Sequence, residues 1–143
     1  VIDEEDRFVI PSSGSTPRWV VHRPIDPYGE GYVHTMLVEL SDEGLTASGH
    51  ATFEGRTPEN LQDFLLGLAK DWRGWPGVRS WTSMDGEMTL EAGHDGRAYV
   101  SIAVTLRDCP HDPGGWSARI VLSLEAGEEL RRLADTAERF LHP

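Results

Sequence analysis

The stretch TPENLQDFLLGLAKDWRGWPGVRSW, running from Thr57 to Trp81, decides how this chain folds. Leu61, Phe64, Leu65, Leu68 and Trp72 recur at helical spacing and make one apolar stripe, the mark of an amphipathic helix lying on a core. Thr57 suits the N-cap and Pro58 the first helical position, where a missing N–H costs nothing. Gly74 and Pro76-Gly77 end the helix, since proline cannot continue the hydrogen-bond ladder. Trp81 then opens a strand. The stretch therefore predicts a helix-to-sheet corner built around Trp72-Arg73-Gly74-Trp75.

On either side the period changes from helical to two. Upstream, Trp19-Val20-Val21-His22 reads as a short strand stopped by Pro24. Met36, Val38 and Leu40 share one side of the next strand, and Gly44 turns the chain. The return strand alternates Leu45, Ala47, Gly49, Ala51 and Phe53 with Thr46, Ser48, His50 and Thr52. Downstream, Ser83-Met84-Asp85-Gly86 and Gly93-His94-Asp95-Gly96 are turns between strands carrying Met88, Leu90 and Ala92, then Ala98, Val100, Ile102, Val104 and Leu106. After a loop comes the strand of Trp116, Ala118, Ile120, Leu122 and Leu124. A second helix closes the chain on Leu130, Leu133, Ala134, Ala137 and Leu141, with Phe140 beside them and Glu128–Arg132 and Asp135–Arg139 as i, i+4 ion pairs.

The order β-β-β-α-β-β-β-α, with every element apolar on one side, predicts an α+β fold. The expected form is a single antiparallel sheet of about six to seven strands with two helices packed on one face. Residues 1–18, acidic and then rich in Ser, Gly and Pro, read as a flexible arm in which Phe8-Val9-Ile10 could add an edge strand. Residues 19–143 read as one domain. The opposite sheet face would carry Thr46, Ser48, His50, Thr52, Thr89, Tyr99, Ser101, Thr105, Arg107, Arg119 and Ser123, either solvated or used for binding.

The formal net charge of −11 argues against nucleic acid as a partner, which needs a basic surface, and favours a basic protein. No apolar run approaches the roughly 18 residues of a membrane span. The acidic N-terminus lacks the character of a signal peptide, so the expected location is cytoplasmic. A single cysteine, Cys109, excludes an internal disulfide and a cysteine-based zinc site.

The six histidines do not fall at metal-ligand spacing, and no cofactor or metal is expected. Asp95-Gly96 is explained by turn geometry. The loop Cys109-Pro110-His111-Asp112 holds the best local cluster of ligand-type atoms, but adjacent side chains on extended backbone point apart. There is no nucleophile elbow, P-loop or dinucleotide fingerprint, so no catalytic residue is assigned. Trp75 is read in two ways: as corner packing with its indole N–H on a carbonyl, or as a partly exposed interface anchor. Asp42-Glu43, Asp85, Glu87 and Glu91 cluster at turns, which at one sheet end would make an electronegative rim.

Read whole, the chain carries Leu61-x-x-Phe64-Leu65-x-x-Leu68 and Trp72-Arg73-Gly74-Trp75, then Trp81-Thr82-Ser83-Met84-Asp85-Gly86-Glu87-Met88-x-Leu90. After these come His94-Asp95-Gly96-x-x-x-Val100 and the segment from Trp116 to Leu130. Over about residues 30 to 142 this resembles an actinobacterial family of small domains marked by a W-x-G-W corner. Its layout is also similar to the WapI-like immunity proteins of bacterial toxin systems, from which the W-R-G-W corner and Trp116 depart. The resemblance implies a non-enzymatic immunity or antitoxin-like protein that neutralises a basic toxin, a nuclease for instance. Asp42, Glu43, Trp75, Asp85, Glu87 and Glu91 are then the expected partner-binding residues. Two alternatives stay open: a small-molecule-binding or hydrolytic domain using the hydroxyl-rich face or the Cys109–Asp112 loop, and a regulatory or assembly module of a longer chain.

Overall fold

In the computed structural model, which describes residues 2–4, 7–10, 16–25, 29, 33–54 and 61–141, the alternating segments become strands of two separate sheets. Sheet A comprises β1 (Ile2–Glu4), β2 (Arg7–Ile10), β3 (Arg18–His22), β4 (Val33–Asp42) and β5 (Leu45–Glu54) in that spatial order. Helix α1 (Leu61–Lys70) follows. Sheet B comprises β6 (Val78–Thr82), β7 (Met88–His94), β8 (Tyr99–Arg107) and β9 (Ser117–Glu125), again in sequence order, and α2 (Glu128–Leu141) ends the fold. Every pairing is antiparallel, so each sheet is a meander of neighbouring strands.

The α+β class stands, but the single sheet with both helices on one face does not. Sheet A ends at β5 and sheet B begins at β6, with α1 between them. The physical reason is coverage. Helices of 10 and 14 residues are about 15 and 21 Å long, too little to roof six or seven strands spread over some 30 Å. Two sheets cover each other instead, each giving its apolar side to a shared core.

That core is one cluster. It joins Val21, Met36, Val38 and Leu40 of sheet A to Leu90, Ile102, Val104 and Leu122 of sheet B, and takes in Leu61, Leu65 and Leu68 of α1 with Leu130, Leu133 and Ala137 of α2. The sheets meet where β4 approaches β9 and β5 approaches β8. Leu106 of β8 packs over Gly49 of β5, where a Cβ would lie 3.7 Å from Leu106 Cδ2.

The expected arm is only partly an arm. β2 pairs with β3, and Ile10 joins Trp19 in the shared core while Val9, on the other side of the strand beside Val20, is buried as well; β1 adds the edge. Residues 11–15, read as a flexible link, and the capping residues Thr57 and Pro58 lie outside the described residues. At the other end Glu125 caps α2, accepting the N–H groups of Gly127 at 2.7 Å and Glu128 at 2.9 Å. Those bonds hold its carboxyl below the usual glutamate range. No helix among the described residues is long and apolar enough to cross a membrane.

Candidate partner-binding surface

The corner after α1 is built by its backbone. Gly74 has φ +134°, a conformation L side chains rarely adopt, and this reverses the chain towards β6. The reversal exposes Trp72, 46 % accessible, and buries Trp75, 7 % accessible. Trp75 Nε1–H donates to the Ala92 carbonyl at 3.2 Å, inside β7. The His94 ring meets Trp75 edge to face at 5.4 Å, and the Arg79 guanidinium lies 4.9 Å above the indole while pairing with Asp71 at 2.7 Å.

His94 closes the corner from below. Gly96 N–H can only donate, and it lies 2.8 Å from Nδ1; the Trp72 carbonyl can only accept, and it lies 2.8 Å from Nε2. These two bonds assign the neutral Nε2–H tautomer. Trp75 is therefore part of the core, and the expectation that it is a surface anchor is corrected. Trp72, placed by the helical stripe on the buried side, stands past the last residue of α1 with Arg73 stacked on it at 5.2 Å.

The acids do not form one rim. Asp42 and Glu43 occupy the β4–β5 turn, where Asp42 Oδ1 accepts the Glu43 N–H at 2.8 Å. Asp85 and Glu87 occupy the β6–β7 turn and gather around Thr52, seven positions along β5 from Leu45, or about 23 Å from the first turn. Glu91 is separate again, on the outward side of β7. The sequence-level grouping fails because turns of different hairpins come together only if the sheets pack that way.

What the structure does bring together is a corner at the junction of the two sheets. Met84 N–H donates to the Thr52 carbonyl at 2.9 Å and ties the β6–β7 turn to β5. Thr52 Oγ1 lies 3.0 Å from Asp85 Oδ2 and 3.0 Å from Glu87 Oε2. With one proton, that hydroxyl serves one carboxylate at a time, so both retain acceptor sites facing solvent. Ser83 holds Glu87 in place, donating to Oε1 at 2.8 Å while accepting the Met88 N–H at 3.0 Å. Met84, 49 % exposed, stands beside the pair. Sequence reasoning found the two acids and named Thr52 on the hydroxyl-rich face but did not join them, since Thr52 lies 33 positions before Asp85 and bears no local mark of the contact.

The remaining candidates have plainer explanations. Asp112 Oδ1 accepts the Gly114 N–H at 2.9 Å, an Asx turn that accounts for the Cys109–Asp112 loop. The exposed Cys109 thiol is pushed up by the charge of Asp108 first, which disfavours a thiolate nucleophile. Asp95 accepts the N–H groups of Arg97, Ala98 and Tyr99 between 2.7 and 3.1 Å, and these bonds lower its carboxyl. No group of three or more metal-ligating side chains forms among the described residues. The expected hydroxyl-rich face is divided: Thr46, Ser48, His50 and Thr52 point outward from sheet A, while Thr89, Tyr99, Ser101, Thr105, Arg107, Arg119 and Ser123 belong to sheet B. A shallow cavity of about 300 Å³ lies between Ala69 and Trp72 at the end of α1 and Gly127, Glu128 and Arg131 at the start of α2. The first amides there are already taken by Glu125.

Comparison with protein families matches residues 15–143 to the family of unknown function DUF6228. The match spans most of the chain, which therefore belongs to that family. No curated protein and no solved structure matches it significantly.

Proposed function

We propose that this member of DUF6228 is a non-enzymatic binding protein that recognises a basic protein, of the class of bacterial toxins with a cationic cleft such as nucleases, and blocks it by occlusion in the cytoplasm. The observation that carries the reading is the Asp85–Glu87 pair, held on one Thr52 hydroxyl beside the exposed Met84. The net charge of −11 and the likeness of its layout to WapI-like immunity proteins support it.

The mechanism follows from charge and shape. A strongly acidic surface accelerates encounter with a cationic partner, an effect that weakens as salt screens it. An arginine or lysine of the partner then seats between Asp85 and Glu87, whose positions are already set by Thr52 and Ser83, so little ordering cost remains. Met84 supplies an adaptable apolar contact beside the charged one. Trp75 has no direct part in this reading; it keeps the corner of β6 and β7 rigid.

The test is co-purification with the product of the neighbouring gene at low and high salt, followed by binding kinetics of the Asp85→Asn/Glu87→Gln double variant. The expected result is a basic partner retained at low salt, with an on-rate reduced at least about tenfold in the double variant. An Asp42→Asn/Glu43→Gln control should bind nearly as the parent does. Absence of a basic partner at either salt, or equal loss in both variants, overturns the proposal.

A further inference from the structure

Sheet B gives only one of its faces to the core. On the outward face the centre is small and flat, made of Ser80, Gly93, Ser101, Ala103 and Ser123 at registered positions of four strands. Around that centre stand Val78, Tyr99 and Val121, exposed by 64 %, 54 % and 43 %. In the register these three stand about 12 to 16 Å apart, so the face is a flat small-residue surface rimmed by apolar side chains, a shape that a second flat face can meet closely.

The charge on this face differs from that of the molecule. The chain as a whole carries −11, so two copies repel in most orientations. Here Glu91 and Glu125 are matched by Arg107 and Arg119, and the face is close to neutral. Glu125 is turned to the α2 amides and Arg107 Nη1 donates to Thr89 at 3.0 Å, which leaves Glu91 and Arg119 as its freely exposed charges. Their placement is self-complementary. Glu91 is in register with Ala103 and Val121, and Arg119 is the next outward residue of β9. A two-fold axis running along β8 lays β7 of one copy over β9 of the other. Each Glu91 then comes beside the partner's Arg119, twice per dimer, with the strands aligned as stacked sheets prefer.

We propose that this face is the interface of a symmetric homodimer, a second copy of the chain docking sheet to sheet. The three overlapping strands, β7, β8 and β9, about 4.8 Å apart and up to nine residues long, offer roughly 400 Å² per copy, and β6 stays outside the overlap. The total of about 800 Å² lies at the low end, where transient contacts sit, so the dimer is a weak one that forms as concentration rises. The interface is distinct from the partner-binding corner: Glu91 lies about 13 Å along β7 from Glu87.

Sedimentation velocity and light scattering over roughly 1 to 500 µM test this. The expected mass rises from 15.9 kDa towards twice that value. Val121→Glu, Glu91→Arg and Arg119→Glu should each shift the transition to at least about tenfold higher concentration, with circular dichroism unchanged because all three side chains point outward. The decisive variant is the charge swap Glu91→Arg/Arg119→Glu, which should regain the dimer that either single change weakens. A chain monomeric throughout the range overturns the proposal, and so does a dimer indifferent to Val121→Glu or a double variant no better than the singles.

Discussion

Replacing Trp75 by alanine tests whether the W-R-G-W corner is core, and Trp72, three residues earlier, is its natural control. Truncating a buried tryptophan costs about 3–5 kcal/mol, through lost transfer energy and the cavity left behind. Trp75 is 7 % exposed, and its indole N–H bond to Ala92 and its edge-to-face contact with His94 are lost as well. Each of those is worth about 1 kcal/mol, partly counted already in the truncation cost, so about 4 kcal/mol is expected for Trp75→Ala. A chain of 143 residues has an unfolding entropy of about 0.3 kcal/mol/K near its midpoint, which converts the loss into a Tm lower by about 13 °C. Trp75→Phe keeps one ring but not the N–H, and should cost about 2 kcal/mol. Trp72→Ala leaves the backbone carbonyl that holds His94 untouched and removes a side chain already 46 % exposed. Its cost should stay below about 1 kcal/mol. Thermal and urea unfolding followed by circular dichroism reads all three. Equal losses for Trp72→Ala and Trp75→Ala, or a Trp75→Ala loss under about 1.5 kcal/mol, would refute the assignment of Trp75 to the core.

Other perturbations probe the same frame. Gly74→Ala forces a Cβ onto φ +134° with the His94 ring 3.5 Å away, and should destabilise by about 1–3 kcal/mol in urea unfolding. Thr52→Val keeps shape but removes the hydroxyl between Asp85 and Glu87; a loss near 1 kcal/mol is expected, together with weaker binding of a basic partner. The carboxyls of Asp95 and Glu125 are lowered in the folded chain by backbone N–H bonds, so the unfolded chain binds more protons as pH falls from about 5. Their stabilisation is present above the unfolded values of 3.8 and 4.5 and is lost as pH falls through the lower folded ones. Tm measured from pH 5 to 3 should therefore fall less steeply in Asp95→Asn/Glu125→Gln than in the parent, and parallel curves would contradict the cause given.

Much of the local structure was legible in the residues. Helix α1 was visible in Leu61, Leu65 and Leu68, and β8 in the alternation from Val100 to Leu106, because period reports directly on which side of an element meets apolar neighbours. The candidate site was legible only in pieces. Asp85 and Glu87 were found as turn acids and Thr52 as a face hydroxyl, but not their meeting beside an exposed Met84, since that depends on a contact between two hairpins. The tryptophans show the same limit. Spacing put both Trp72 and Trp75 at a corner, and the backbone turn at Gly74 decided that one faces solvent and the other the core.

The residue order by itself determined both helices and most strands, the alternation that sets their inward sides, the acidic charge and the family to which the chain belongs. Those properties depend on near neighbours or on composition. The same order left β1 in an arm and began β6 at Trp81 instead of Val78. The tertiary structure alone decided that the strands divide into two sheets and that the acidic turns lie at opposite ends of β5. Each of these follows from how distant apolar faces cover one another, an energy shared among residues far apart in the chain and written in no single stretch of it.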